Sequence, residues 1–420
     1  MEKIIVRGGR KLQGEVDISI AKNSVLPIIV ATILNPTEII LKKVPMLEDV
    51  TVLINLLREL NCEVQFSSIT GDLKINTLNL KEVDPNSELI RKMRASFLVM
   101  GPMLARFGRC KISMPGGCNI GSRPVDLHLK GFKSLGIESE IGYGYVEAKV
   151  DKLHGNRIYL DFPSVGATEN IMMAAILAPG ITVIENAAEE PEIWDLARFL
   201  NSMGAKIEGA GYGKITIHGV SQLKQPEPFT PIFDRIEAGT FMVAAGITNS
   251  KITINGVNEE HLMPTIEKLK ECGVYCSIDG QKMIVDGTKE KKPVDIKTMP
   301  YPGFPTDMQA QIMALLSITR GVSVITETVF ENRFMHVGEL GRMGANIKID
   351  GRIAIVEGVS TLTGCEVKAT DLRAGAAMIL AGLVANGETE IGEVYHIDRG
   401  YTNIEEKFKK LGAEIYRIHK

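Results

Sequence analysis

Apolar residues recur at helical spacing along the chain, and each such stretch ends at a turn residue that precedes a short alternating segment. One stretch carries apolar residues at i, i+3, i+4 and i+7, the pattern of an amphipathic helix: Leu196, Phe199, Leu200 and Met203. A Gly, or once an Asn, follows each stretch and predicts a left-handed helix end. These turn residues stand at positions 61, 136, 204, 273, 344 and 412.

A second pattern keeps step with the first. It is an apolar, small-residue helix such as residues 172–178, which has no polar face and is predicted to be buried on all sides. Its turn residues stand at positions 36, 108, 180, 249, 321 and 387, and a β-branched strand follows each. Two landmarks with one period of roughly 70 residues predict six similar α/β units.

A chain of 420 residues is longer than one hydrophobic core usually accommodates. We therefore predict two domains of three units each. The Pro-rich segment 225–231 lies between the third and fourth copies and is the predicted linker. The predicted domains are residues 22–229, and residues 1–21 together with 230–420. The strand pattern at 3–7 precedes the first full unit, and we expect it to pair with the last one.

Composition excludes several classes of protein. The longest apolar stretch, residues 26–34, is shorter than the roughly 18 residues that a membrane span needs. A net charge of -3 provides no global field for nucleic acid or acidic membranes. The 6 cysteines include no Cys-x-x-Cys pair, which argues against a disulfide framework and a zinc site. The first residues lead into a strand pattern rather than a signal peptide, so we expect a cytoplasmic protein without membrane insertion.

Candidate chemistry is concentrated in a few loops. Residues 115–124 read PGGCNIGSRP, where two glycines allow an exposed turn at Cys118 and Arg123 is a candidate to activate the thiol or hold an anion. An ordinary turn with an incidental cysteine is the alternative. Lys22 opens the first apolar helix, and several arginines stand beside loop glycines or helix starts, which favours an anion-binding cleft. Asp307 is either a helix cap or a general base.

Nine further motifs are specific enough to compare with known families. They are AKN at 21–23, MRAS at 93–96, PGGC at 115–118, RPVDLH at 123–128, SVGAT at 164–168, FPTDMQAQ at 304–311, TVFENRFMH at 328–336, ATDLR at 369–373 and HIDRG at 396–400. Together they resemble the UDP-N-acetylglucosamine 1-carboxyvinyltransferases, the enolpyruvyl transferases that begin peptidoglycan precursor synthesis. The similarity runs from residue 14 to residue 413. Two departures are Ile20 and Phe162, which stand where Gly and Lys are expected; they bear on affinity rather than on reaction type.

The resemblance implies a fold and a reaction. The fold is two inside-out α/β barrel domains, each of three βαβαββ units with buried helices at the centre, and the active site lies in the cleft between the domains. The reaction transfers the enolpyruvyl group of phosphoenolpyruvate to the 3'-hydroxyl of UDP-N-acetylglucosamine and releases phosphate. The resemblance implies no metal and no organic cofactor, and it implies sensitivity to fosfomycin.

It also implies residue roles. Asp307 takes the proton of the 3'-hydroxyl, and Cys118 protonates the methylene carbon of phosphoenolpyruvate. The anionic groups of phosphoenolpyruvate are met by Lys22, Arg123 and Arg399. Proton transfer and phosphate release are supported by Asp371 and Arg373, and Arg333 is a further anion ligand. The UDP-sugar is held by Asn23, Arg94, Arg123, Pro124, Val125, Asp126, Leu127, Ser164, Val165, Gly166, Asp307 and Val329.

Three other interpretations remain open from the residues. A transferase of the shikimate-pathway type shares the fold but lacks the Gly-Gly-Cys loop. A non-catalytic repeat scaffold also suits six similar units, although it has no need of loops rich in Cys, Arg and Asp. A thiol hydrolase would use Cys118 as its nucleophile, but no His is an evident partner in the sequence.

Overall fold

The computed structural model describes residues 2–81, 94–114 and 125–419. They form two compact units. The terminal unit holds the described residues of Met1–Ser19 and Phe233–Lys420, and the middle unit holds the described residues from 20 to 232. None of the helices in these ranges has the length and apolar character needed to span a membrane.

The strands are short, and most alternate between buried and exposed residues, as the sequence pattern predicts. In chain order they are β1 (Glu2–Arg7), β2 (Glu15–Asp17), β3 (Glu38–Leu41), β4 (Glu63–Phe66), β5 (Leu73–Asn76), β6 (Arg109–Ser113), β7 (Glu138–Ile141), β8 (Tyr145–Lys149), β9 (Arg157–Tyr159), β10 (Ile181–Glu185), β11 (Lys206–Glu208), β12 (Lys214–His218), β13 (Lys251–Asn255), β14 (Tyr275–Asp279), β15 (Lys282–Asp286), β16 (Ile296–Lys297), β17 (Val322–Thr326), β18 (Asn346–Asp350), β19 (Ile353–Glu357), β20 (Glu366–Lys368), β21 (Glu388–Gly392) and β22 (Glu414–His419).

The helices of the described residues alternate with these strands. They are α1 (Lys22–Ala31), α2 (Glu48–Glu59), α3 (Met100–Phe107), α4 (Asp126–Ser134), α5 (Val165–Ala175), α6 (Pro191–Ser202), α7 (Arg235–Ile247), α8 (Glu259–Glu271), α9 (Gln309–Leu316), α10 (Val337–Arg342), α11 (Leu372–Gly382), α12 (Tyr395–Asp398) and α13 (Ile404–Lys410). Short 3-10 segments lie at Thr32–Leu34, Arg94–Val99 and Thr306–Met308.

The described strands form small sheets within each unit. Those of the middle unit have the orders β3-β5-β4, β6-β8-β7 and β9-β10-β12-β11. Those of the terminal unit have the orders β2-β13-β15-β14, β16-β17-β19-β18 and β20-β21-β1-β22. In β1, Ile4 lies opposite Ile391 of β21 and Arg417 of β22, in antiparallel register. The predicted pairing of the first strand with the last unit is therefore confirmed, and the fold is mixed α/β.

The helices are of two kinds, which the two sequence patterns predict. In α5 every residue from Ala167 to Ala175 is buried, and in α7 every residue after Arg235 is buried. In the terminal unit, α7, α9 and α11 contact one another, so three apolar helices pack at its centre. By contrast, α6 is amphipathic and buries the predicted face that includes Leu196 and Phe199. Buried helices therefore form the centre of the terminal unit, while α6 of the middle unit has one buried and one exposed face.

The predicted turn residues have the backbone conformation that their identity suggests. Asn61 and the five glycines that follow the other amphipathic helices all have positive φ, between 67° at Asn61 and 95° at Gly344. The left-handed conformation costs Gly nothing and Asn little, which explains the residue types.

The Pro-rich segment 225–231, predicted to be the linker, lies in the middle unit. The Phe229 N–H donates to the Ile40 carbonyl (2.9 Å), and the Phe229 carbonyl accepts from the Lys42 N–H (2.8 Å). Its ring is 5.1 Å from that of Phe199. The segment therefore runs beside β3, and the chain leaves this unit after Ile232.

Candidate active site

The strongest cluster of predicted site residues in the terminal unit is centred on Asp307. Arg333 Nη2 donates to Asp307 Oδ1 (2.8 Å), while Arg373 Nε and Nη2 both donate to Oδ2 (3.1 and 3.0 Å). The two arginine side chains are 4% and 3% exposed, but the Asp307 side chain is 28% exposed. Two buried cations therefore fix a carboxylate that still reaches solvent, the arrangement expected of an accessible base.

Arg373 is positioned by the start of α11. Asp371 caps this helix, and its Oδ1 accepts from the Arg373 N–H (2.8 Å) and the Ala374 N–H (3.1 Å). Burial is the largest single influence on Arg373 and opposes its charge, but Asp307, Tyr401 and Asp234 together outweigh it, so the pKa of Arg373 is raised. Its Nη1 has no hydrogen-bond partner among the described residues. A buried charged donor without a partner is suited to bind an anion.

Tyr401 lies beneath the guanidinium of Arg373. Arg373 Cζ is 5.3 Å from the ring centroid of Tyr401, within the range of a cation–π contact. The Tyr401 hydroxyl is 2.9 Å from Thr240 Oγ1 on α7, and the ring is 1% exposed. The central helix α7 therefore contacts Tyr401, and the Tyr401 ring in turn packs against the guanidinium of Arg373.

His336 is a second buried group in this unit that lacks partners. It is 1% exposed, and neither ring nitrogen has a hydrogen-bond partner within the described part of the chain. Burial is the main cause that lowers the pKa of His336 to about 4, and the nearby Arg333 acts in the same direction. The imidazole is therefore neutral near pH 7.

Glu327 is a structural residue of the site that sequence reasoning missed. It is 1% exposed. Its Oε1 accepts from Thr298 Oγ1 and from the Val329 N–H (both 2.8 Å), and its Oε2 accepts from Thr306 Oγ1 (2.8 Å). It thereby joins the segment of Asp307 to the segment of the predicted sugar ligand Val329. The only sequence signal was an acid at the end of an alternating strand.

Lys22 and Asn23 begin α1 in the middle unit. Lys22 Nζ forms a buried ion pair with Asp49 Oδ2 at the start of α2 (2.5 Å), with the two side chains 9% and 7% exposed. Asn23 is exposed. The structure thus places a buried cation and an exposed amide side by side at the first turn of an apolar helix.

Two other predicted segments of the middle unit lie at the starts of neighbouring helices. Residues 125–127 lead into α4. Ser164 caps α5, with its Oγ accepting from the Ala167 N–H (3.4 Å), so residues 164–166 form its beginning. His128 of α4 contacts Asn170 of α5 (Nδ1 to Nδ2, 3.1 Å). The structure therefore brings these two predicted sugar-nucleotide segments together, and helix N-termini favour phosphate groups.

Five further predicted residues complete the set. Cys118, Arg123 and Pro124 lie outside the described residues. Arg94 begins the 3-10 segment Arg94–Val99. Arg399, half-buried, ends α12 in the terminal unit.

Three of the described cysteines differ from a reactive thiol. Burial raises the pKa of Cys62 to about 12, that of Cys272 to about 11 and that of Cys276 to about 12. A high pKa leaves little thiolate at neutral pH, so these three thiols are poor nucleophiles. In the described ranges, no group of three or more His, Cys, Asp or Glu side chains is arranged to hold a metal ion.

Comparisons with known proteins agree with the motifs. The family profile of EPSP synthase (3-phosphoshikimate 1-carboxyvinyltransferase) matches residues 6–408. UDP-N-acetylglucosamine 1-carboxyvinyltransferase 2 of Clostridium tetani is 65% identical over 418 residues, and UDP-N-acetylglucosamine 1-carboxyvinyltransferase 1 of Clostridium acetobutylicum is 63% identical over 418 residues. Each alignment covers 100% of both chains.

Solved structures show the same fold. The enolpyruvyl transferase NikO from Streptomyces tendae has a TM-score of 0.88 at 23% identity, covering 99% of this chain and 98% of that one. EPSP synthase from Acinetobacter baumannii has a TM-score of 0.77 at 19% identity, covering 100% of both chains. At these identities the likeness establishes the fold alone. Together with the full-length relatives, it confirms the resemblance seen in the motifs: the chain belongs to the enolpyruvyl transferase family, and within it to the UDP-N-acetylglucosamine 1-carboxyvinyltransferases.

Proposed function

We propose that this enzyme transfers the enolpyruvyl group of phosphoenolpyruvate to the 3'-hydroxyl of UDP-N-acetylglucosamine and releases phosphate, the first committed step of peptidoglycan precursor synthesis. The names of relatives that are 60–65% identical over the whole chain support this reaction. The transfer takes place in two stages, addition and elimination.

In the addition, the sugar hydroxyl loses its proton to Asp307 and its oxygen bonds to C2 of phosphoenolpyruvate. C3 accepts a proton from Cys118, which gives a tetrahedral intermediate that carries both a carboxylate and a phosphate. In the elimination, a base takes a proton from C3, the C–H electron pair forms the C2=C3 double bond of the vinyl ether, and the C2–O bond breaks with its electron pair leaving on phosphate. The stages need a base at oxygen and an acid at carbon, with fixed cations for the anionic groups.

The observation that carries the proposal is the setting of Asp307. Its carboxylate is held by the guanidinium groups of Arg333 and Arg373 and remains 28% exposed. A surface carboxylate used only as a helix cap would not need two buried cations, since burying a charge is costly without a matching partner. Fixed orientation together with access is what proton abstraction from a bound hydroxyl requires.

Anion binding is the second requirement. The proposed ligands of the phosphate and carboxylate are Lys22, Arg123 and Arg399. Arg373, whose buried Nη1 has no described partner, is proposed to support phosphate release. The proposed sugar-nucleotide ligands are Asn23, Arg94, residues 123–127, residues 164–166, Asp307 and Val329. These roles draw on both units, so we propose that residues of both bind the substrates, as the resemblance implies.

The finer architecture is part of the same proposal. Each of the small sheets with its helices is proposed to be one βαβαββ repeat, three to a domain, in the inside-out barrel arrangement of the family. The order parallel-antiparallel-antiparallel in sheets such as β2-β13-β15-β14 supports equivalent repeats. A cytoplasmic location, without nucleic-acid partners or an organic cofactor, completes the proposal.

Phosphate release from phosphoenolpyruvate tests the reaction directly. With UDP-N-acetylglucosamine present we expect turnover, and without it only background. The shikimate-type alternative predicts turnover with 3-phosphoshikimate instead, so both acceptors are compared at equal concentration. Release that does not depend on UDP-N-acetylglucosamine would refute the proposal.

A further inference from the structure

The first turn of α1 carries two proposed ligands, Lys22 and Asn23, but the helix has no cap of its own. Its N-cap residue is Ala21, which makes no side-chain cap hydrogen bond. The Ala21 N–H instead donates to the carbonyl of Ile232 (2.8 Å), the last residue of the middle unit. Neighbouring segments must therefore hold the start of this helix.

Asp195 of α6 fixes the start of α1 through a hydrogen bond. Its Oδ2 accepts a short hydrogen bond from Ser24 Oγ in the first turn of α1. The same oxygen accepts from the Ile232 N–H (2.9 Å). One carboxylate oxygen thereby joins the helix that carries Lys22 and Asn23 to the segment by which the chain leaves the unit.

Arg198 fixes Asp195 from the other side. Its Nε and Nη2 donate to Asp195 Oδ1 (3.0 and 2.6 Å), and Nη2 also donates to the Thr230 carbonyl (2.7 Å). Its guanidinium carbon lies 4.4 Å from the ring centroid of Phe229. The carboxylate therefore cannot rotate without losing a bidentate ion pair.

Asp195 is a buried carboxylate with a partly solvated partner. Its side chain is 0% exposed, whereas that of Arg198 is 41% exposed. Desolvation raises the pKa of Asp195, against the hydrogen bond from Ser24 and the charge of Arg198. A buried carboxylate needs hydrogen-bond partners, so the groups that donate to Asp195 are held in place.

The terminal unit has a counterpart where the chain enters and leaves it. Glu237 Oε2 accepts from the Ser19 N–H (2.6 Å), Lys407 Nζ donates to Glu237 Oε1 (2.5 Å), and the Asp234 N–H donates to the Ser19 carbonyl (2.8 Å). Again a buried carboxylate with one cation holds a backbone amide at the end of a unit. None of these hydrogen bonds involves a residue of α1, so the counterpart provides a matched control.

We propose that Asp195 is a positioning residue for the substrate ligands Lys22 and Asn23, acting through Ser24 and the Ala21–Ile232 hydrogen bond. The inference rests on the proposed function for those two ligands. Neither Asp195 nor Ser24 touches substrate; they set the place and direction of the first turn of α1.

Three variants test the proposal: Ser24→Ala, Asp195→Asn and the control Glu237→Gln. Ser24→Ala removes one hydrogen bond to a charged group, and we expect KM for both substrates to rise roughly three- to tenfold with a smaller change in kcat. Asp195→Asn should raise KM further, because its amide N–H₂ opposes the donors of either Arg198 or Ser24. Hydrogen exchange of the amides of residues 22–26 should quicken in both variants. Glu237→Gln should leave KM and this exchange unchanged.

The outcomes separate the two hypotheses. Unchanged KM values in Ser24→Ala and Asp195→Asn, or an equal rise in Glu237→Gln, would overturn the positioning role. If the unaltered enzyme shows no release dependent on UDP-N-acetylglucosamine, the proposed function fails and hydrogen exchange alone decides: faster exchange supports the hold on α1, and unchanged exchange overturns it. If Asp195→Asn does not fold, Ser24→Ala provides the test.

Discussion

Replacing Asp307 with Asn is the most direct test of the proposed base. The amide keeps the shape of the side chain but loses the negative charge and the basic lone pair. Among the described residues, Arg333 donates one hydrogen bond to the carboxylate and Arg373 donates two. Because an amide has one acceptor oxygen, its N–H₂ must face one of these guanidinium groups, and that side loses its bonds.

The structure sets the expected sizes of two separate effects. Loss of a general base lowers kcat by about 10²- to 10⁴-fold, or roughly 2.7–5.5 kcal/mol in the activation barrier. A buried guanidinium left without its carboxylate partner costs about 3–5 kcal/mol of stability when the pair is fully buried. Solvent reaches Asp307, which is 28% exposed, so we expect the smaller loss of about 1–3 kcal/mol for an unsatisfied buried group.

Phosphate release measures kcat, calorimetry measures the binding of UDP-N-acetylglucosamine, and urea unfolding measures stability. The matched control is Asp295→Asn in the same unit. The Asp295 carboxylate is exposed and accepts a hydrogen bond from the Val324 N–H (2.8 Å). The control should leave kcat unchanged. An Asp307→Asn enzyme that binds the sugar nucleotide and turns over at a near-normal rate would refute the assignment of the base.

Three further predictions concern other groups. Glu327→Ala should lower kcat by roughly tenfold because it loses several buried hydrogen bonds. Glu327→Gln should retain most of the activity. Equal losses of kcat in the two variants would contradict a positioning role for Glu327. The pKa of His336 is lowered to about 4 from 6.5, so its neutral form stabilises the fold above pH 6.5. That contribution to the free energy of unfolding is lost as the pH falls toward 4, by at most about 1.4 kcal/mol per pH unit. In urea unfolding, His336→Gln should therefore lose less stability over this pH range than the unaltered protein. Equal pH dependence of the two proteins would contradict the prediction. Treatment with fosfomycin in the presence of UDP-N-acetylglucosamine should add the mass of one adduct, at Cys118, since burial raises the pKa of Cys62 and Cys272. The variant Cys118→Asp should lose the adduct but keep phosphate release. An adduct on another cysteine would count against the role of Cys118.

Local pattern was enough to predict much of the fold. The period of the amphipathic stretches predicted helices such as α6, and the turn residues at their ends have the left-handed backbone expected of them, as at Asn61. The pairing of β1 with the last unit followed from a strand left without neighbours in its own unit. The helices and their turn residues depend on residues close in sequence. The pairing of β1 was predicted from its position before the first full unit. Both kinds of information are present in the sequence itself.

The candidate site was predictable only as a set of residue types in motifs. Arg333 alone resembled a solvated surface charge, yet it is 4% exposed and bonded to a carboxylate 26 positions away. Glu327 carried only the signal of an acid at the end of an alternating strand, and Asp195 carried none. Their importance arises from contacts with backbone amides and hydroxyls on separate segments, which no local pattern encodes.

The sequence by itself therefore determined many of the helices and strands, the helix ends and the family, because hydrophobic period and turn chemistry act over a few residues. The tertiary structure alone decided which charges are buried and which partners they meet: Arg373 lies 66 positions from Asp307, and Asp195 lies 171 positions from Ser24. The physical reason is that the energy of a charge depends on its burial and its neighbours, and both are set only when distant segments pack together.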